Sequence, residues 1–158
     1  TKAGEASNNT RSSGIGAILQ DGSAGTITVE FTLSGAATGA GVAVLAVSGL
    51  VSATNISAAN SSTVDPVQLN FTDIGSASEF LVATSFNSAS SYTGNCTWSE
   101  NFGLVNGSII EFQDDNQPDS TVSFSMSSAH CISTGVSSSI FGDWSVTGTP
   151  VGICAHYM

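Results

Sequence analysis

The stretch Val67-Gln68-Leu69-Asn70-Phe71 alternates apolar and polar side chains at every step. Successive side chains of a β-strand point to opposite faces, so this pattern puts Val67, Leu69 and Phe71 on one face and leaves the other face polar. A strand of this kind covers a core on one side and meets water on the other, which is typical of antiparallel sheets. The same alternation recurs in Thr26–Leu33 and Val122–Met126.

Two runs that are apolar at consecutive positions, Val42–Val47 and Phe80–Ala83, predict central strands covered on both faces. No long segment has helical periodicity. Eight or nine short strands, separated by Gly, Asp and Asn turn signals, predict an all-β fold, an antiparallel β-sandwich of jelly-roll type. Weaker strand patterns complete this set at Ile15–Gln20, Ser108–Phe112, Ile140–Val146 and Val151–Tyr157.

The chain length of 158 residues predicts one domain, and a hydrophobic content of 41% is enough for a core. Residues 1–13 and 52–65 are rich in Ser, Thr, Asn and Ala. We therefore expect a flexible N-terminal arm over residues 1–13, a single β-sandwich domain over residues 14–158, and a long loop within it at 52–65.

The charge balance disfavours two classes of partner. Lys2 and Arg11 are the only basic residues against 12 acidic ones, which gives a net charge of −10. Nucleic acids and anionic membranes both attract proteins through Lys and Arg, so neither is an expected partner. The apolar stretch Ala36–Val51 is short for a membrane span and has no basic flank, so a buried strand is expected there.

An acidic cluster around a predicted turn is the densest charge in the chain. Several carboxylate and amide oxygens within nine residues could hold Ca²⁺, although the spacing differs from that of an EF-hand. The interpretation that the sequence favours is a solvated acidic hairpin with no cofactor, and bound Ca²⁺ is the alternative. The cluster consists of Glu111, Asp114, Asp115, Asn116 and Asp119.

The cysteines leave three interpretations open. Cys131 and Cys154 could form a disulfide, or both could be buried free thiols. Together with His130 and His156 they also supply the ligand types of a zinc site, but neighbouring residues of one strand face opposite ways, so His130 and Cys131 would not reach one ion together. Cys96 is left over in any scheme with one bridge, either as a free thiol or in an intermolecular bond.

Three aromatic residues, Trp98, Trp144 and Tyr92, could form a stacking platform for a glycan, or could fill the core instead. Enzymatic motifs are absent from the sequence: it has no Gly-x-Ser-x-Gly elbow and no phosphate-binding glycine loop. We therefore expect a protein without catalytic activity.

Two stretches resemble a β-sandwich domain that recurs in virion proteins of tailed bacteriophages. They are RSSGIGAILQDGSAGTITVEF (residues 11–31) and GVAVLAVSGL (residues 41–50), and Glu79–Phe86 and Tyr92-Thr93-Gly94 are similar to the middle of that domain. The three cysteines and the acidic turn are not part of the pattern. The resemblance covers about half the chain and implies a tail-fibre or capsid-decoration subunit.

The resulting functional hypothesis is a virion structural protein that packs against copies of itself and against other virion proteins. We expect its docking residues in the arm 1–13 and the loop 52–65. The alternative hypothesis is a secreted carbohydrate-binding or adhesin module, which would require Trp98 or Trp144 to be exposed.

Overall fold

A computed structural model of the chain describes residues 2–8, 11–16, 25–26, 28–30, 32, 35–36, 41–49, 57–62, 65–71, 79–89, 94–101, 103, 107–117, 123–136, 138–145 and 150–157. These residues contain β-strands and no helix. The strands are β1 (Lys2–Asn8), β2 (Arg11–Gly16), β3 (Ser57–Ser62), β4 (Val67–Phe71), β5 (Phe80–Ala89), β6 (Cys96–Glu100), β7 (Ile110–Gln117), β8 (Ser123–Ile132), β9 (Ser138–Trp144) and β10 (Val151–Tyr157).

The strands form antiparallel sheets, as the alternating sequence predicts. The largest sheet has the order β3-β10-β5-β8-β7, a second has the order β4-β9-β6, and β1 pairs with β2 in a hairpin. The predicted all-β class with antiparallel sheets is therefore confirmed, and the two larger sheets are consistent with the predicted β-sandwich. The predicted strands at Val67–Phe71, Phe80–Ala83 and Val151–Tyr157 all lie within observed strands.

The main core lies between the two larger sheets. The inward residues of β4, Val67, Leu69 and Phe71, are at most 1% exposed and pack with Leu81 of β5 and Ile140 of β9. The polar residues of β4 face away from this core, as the alternation requires.

Strand β10 is buried along its whole length, because a second layer covers its other face. Ile15 of β2 packs against Val151 and Ile153 in one cluster and belongs with Phe80 and Tyr157 in another. Much of the predicted N-terminal arm is thus a hairpin, β1 and β2, that lies against β10, β3 and β5. The apolar side chain of Ile15 gives the hairpin its contact with the body of the protein.

Two predicted strands are wrong. Residues 41–49 belong to no strand, and Val42, Val44, Leu45 and Val47 are exposed instead of central. In the stretch Thr26–Leu33, the described residues 26, 28–30 and 32 are likewise exposed and outside any strand. Both edges of β5 are already hydrogen-bonded, to β8 and to β10, so the central positions of the large sheet are filled by other segments.

Candidate functional site

Two ionisable side chains are buried together between the sheets. Glu79 precedes β5 and His156 lies in β10, and their side chains are 2% and 6% exposed. The register pairs His156 with Leu81, two residues beyond Glu79, which brings the carboxylate to the imidazole. The Nδ1 atom of His156 lies 2.5 Å from Oε2 of Glu79.

A carboxylate on Nδ1 fixes the orientation of an imidazole, which is how hydrolases position a histidine base whose Nε2 faces a nucleophile. Here Nε2 of His156 is buried and has no hydrogen-bond partner among the described residues. The described part of the chain thus contains the oriented histidine without a hydroxyl or thiol for it to activate. What the contact does in this geometry is hold β10 to the start of β5.

A hydrogen-bonded chain joins the two sheets at a second point. The indole Nε1 of Trp98, in β6, donates to Oγ of Ser127 in β8 at 2.7 Å. The Ser127 hydroxyl in turn donates to Oε1 of Glu111 in β7. Ser127 is completely buried, so each of its hydrogen bonds replaces water that cannot enter.

The predicted stacking platform does not lie on the surface. Trp144 is 3% exposed, and its Nε1 donates to Oγ of the buried Ser85 at 3.0 Å. Trp98 is partly buried and packs against the same core. Trp144 therefore lies in the core, which is the alternative that the sequence left open, and Trp98 packs at the margin of that core. Tyr92 lies outside the described residues.

Most of the acidic cluster lies along one strand. Glu111, Asp114, Asp115 and Asn116 all lie in β7, and Asp119 lies outside the described residues. Within the described part of the chain, no group of three or more His, Cys, Asp or Glu residues could hold a metal ion. β7 ends at Gln117, so four of the five predicted calcium ligands precede the predicted turn at Gln117–Asp119, of which residues 118 and 119 lie outside the described residues.

The three cysteines are buried free thiols. Cys131 and Cys154 lie in β8 and β10, on either side of β5. Strands are about 4.8 Å apart, so two strand spacings separate these residues by roughly 10 Å, beyond the limit of about 7 Å between Cα atoms for a disulfide. Burial, together with the nearby Glu100 carboxylate, raises the pKa of Cys131 to about 12, so its thiol is not an activated nucleophile.

His130 and Cys131 lie on opposite faces of β8, as the sequence alternation predicts. Cys131 belongs to the main core, whereas His130 lies on the opposite face of the sheet. There the centroid of its ring is 5.2 Å from that of Phe80, on which it stacks, and 5.8 Å from that of Phe112. Burial lowers the pKa of His130 below its ordinary value. The zinc ligand set is thereby divided between the two faces of the sheet.

Sequence reasoning missed the Glu79–His156 contact. A usable signal was present, because Glu79 directly precedes the apolar run Phe80–Ala83 and His156 lies within the apolar strand Val151–Tyr157. A charge at the border of a buried strand needs a partner, and histidine is one of the few that this chain offers.

Comparison of the chain with family models, with curated proteins and with solved structures finds no match in any of the three. Among the described residues, none belongs to a helix with the length and apolar character that crossing a membrane requires.

Proposed function

We propose that this chain is a non-enzymatic virion structural protein, a capsid-decoration or tail-fibre subunit that acts by packing against copies of itself and against neighbouring virion proteins. The observation that carries the proposal is a set of large apolar side chains on the outside of an all-β domain. Val44 is 65% exposed, Val136 and Ile110 are 54% and 53% exposed, and the others, between 37% and 45% exposed, are Val29, Val42, Leu45 and Val47.

Four of these seven exposed side chains lie within the six consecutive residues 42–47, whereas Val29, Ile110 and Val136 are isolated in the sequence. Contiguous apolar surface on a soluble domain marks a contact site. The centres of protein interfaces are also depleted of charged residues, and residues 41–49 contain none. Packing surfaces of this composition suit a protein whose role is assembly.

The strand order supports a jelly roll, a fold used by viral capsid and lectin domains. The strands form three nested pairs, β3 with β10, β4 with β9 and β5 with β8. Nested pairs of this kind arise when one long hairpin is wrapped into two sheets, which is the topology of a jelly roll. In a complete jelly roll of this order β7 would pair with β6, whereas here it lies beside β8. We propose the jelly roll on the basis of the three nested pairs.

The secreted carbohydrate-binding alternative finds less support. It requires an exposed Trp98 or Trp144, but each indole N–H donates to an interior serine. Turning either ring outward would remove the hydrogen bond that the serine accepts from the indole and would open a cavity at the core.

Electron microscopy of the native source material tests the proposal, with gold-labelled antibody against the chain. We expect label in a regular pattern on virus particles. Label confined to soluble secreted material, with tryptophan fluorescence that responds to added glycans, would support the carbohydrate-binding alternative and contradict the proposal.

A further inference from the structure

We propose that the segment Val42–Val47 pairs with the same segment of a second copy, antiparallel and about a twofold axis at Val44. The inference deepens the proposed function, since it rests on a protein that assembles with itself, and it specifies the surface, the partner and the register of that contact.

The segment is presented at the surface and has no strand partner among the described residues. Residues 41–49 take part in none of the described sheets. The exposed fractions are 45% for Val42, 65% for Val44 and 39% for Val47. At one end the backbone of Gly41 lies against the side chain of Met126 in β8, so close that an added Cβ would be 3.1 Å from its sulfur. The segment is therefore attached to the sheet at Gly41 while its apolar side chains face outward.

The sequence is self-complementary when the twofold axis lies at Val44. Val42 is then opposite Ala46 of the other copy, Ala43 is opposite Leu45, and Val44 is opposite itself. A larger side chain thus meets an alanine at 42/46 and 43/45, and Val47 falls opposite Gly41. Directly opposed residues of antiparallel strands share a face. A twofold contact also requires that one surface complements itself, which this register achieves.

The distribution of charge makes this segment a better place for a second copy to bind than the charged parts of the surface. Two chains of charge −10 repel each other, but residues 36–51 contain no charged residue and no proline. Lysine, proline and inward-pointing charge are the devices that keep edge strands from pairing, and none is present here. Six extended residues span about 20 Å, the length of an ordinary strand.

Disulfide trapping in the full-length chain tests the register. Directly opposite Cα atoms of an antiparallel pair are about 4.5–5.5 Å apart, within disulfide range, whereas diagonal neighbours are about 7–8 Å apart. We expect Val44→Cys to form a covalent dimer on mild oxidation, and Ala43→Cys alone to form none. An equimolar mixture of Ala43→Cys and Leu45→Cys should give the mixed dimer. The unmodified chain controls for the three buried native thiols.

A charge at the axis supplies a second test, read by sedimentation velocity. Val44→Asp places two carboxylates opposite each other, so we expect its dimer dissociation constant to rise at least about tenfold. Val136→Asp is the matched control, since Val136 is also exposed, at 54%, and lies outside the segment; its dissociation constant should stay unchanged.

The outcomes separate this inference from the proposed function. Equal cross-linking at positions 43 and 44, or an unchanged dissociation constant for Val44→Asp, would overturn the twofold pairing while particle labelling still supported a virion protein. A chain that stays monomeric and is absent from particles would overturn both.

Discussion

The contacting side chains of Glu79 and His156 are both buried, so water cannot take the place of either partner. Removing the carboxylate by Glu79→Ala leaves Nδ1 of a buried ring unsatisfied, in addition to Nε2, so we expect the free energy of unfolding to fall by about 3 kcal/mol. Glu79→Gln keeps an acceptor oxygen and should cost less. Urea denaturation at pH 7 measures both variants, and equal stability of Glu79→Ala and the unmodified protein would contradict the structural role assigned to this pair.

The His130 ring makes stability depend on pH. Its pKa is lowered in the folded state because burial disfavours the charged ring, so the unfolded chain binds a proton more readily. The stabilising effect is therefore complete above the ordinary histidine pKa of about 6.5 and is lost as the pH falls below it toward the lower folded-state value.

His130→Phe keeps an aromatic ring between Phe80 and Phe112 but cannot be protonated. Melting temperatures at pH 7.5 and pH 5.5 should show a smaller drop for this variant than for the unmodified protein. Both proteins contain His156, so any effect of His156 on the melting temperature is common to both and cancels in the comparison. Identical drops would mean that His130 does not contribute to the pH dependence.

At the scale of the strands, Gly152 sets how closely β10 approaches β4. A Cβ at this position would lie 2.6 Å from Cγ1 of Val67 and 3.2 Å from the backbone oxygen of Thr84. Gly152→Ala should therefore lower the free energy of unfolding by about 1–3 kcal/mol through overpacking. Gly25→Ala is the control, because an added Cβ there meets nothing within 4 Å. If Gly152→Ala leaves the free energy of unfolding unchanged, the two sheets can move apart at this point without loss of stability.

The alternating strand Val67–Phe71 could be predicted because a one-sided core leaves a period of two in the sequence. The position of Val42–Val47 could not be predicted, because a run that is apolar on both faces has the same sequence pattern at the centre of a sheet and at an exposed contact surface. The central positions of the large sheet are occupied by β10, β5 and β8, so the segment would have to compete with these strands for a place there. The outcome of that competition depends on the whole fold and cannot be predicted from the six residues of the segment alone.

The site was predictable only in part. The opposite faces of His130 and Cys131 follow from strand alternation alone. The Glu79–His156 contact depends on the register of β5 with β10, which joins residues 77 positions apart in the chain. The burial of Trp144 depends in the same way on the acceptor that Ser85 provides from another sheet.

At the scale of the whole molecule, repulsion between chains opposes assembly and the apolar segment favours it. Each chain carries a net charge of −10, spread over a surface with few compensating cations. The Debye length falls from about 20 Å near 0.02 M salt to about 4 Å at 0.5 M, so salt removes most repulsion between copies. An apolar contact without ion pairs contains no attraction that salt would weaken.

Self-association should therefore strengthen as sodium chloride is raised from 0.02 M to 0.5 M, with the dissociation constant falling at least about tenfold. Sedimentation velocity across the salt series measures this. A chain with Glu30→Gln and Asp143→Asn, both at exposed positions, loses two negative charges and should show a smaller change over the same series. If salt instead dissociates the assembly, ion pairs hold the copies together, and the contact between them lies outside the uncharged segment Val42–Val47.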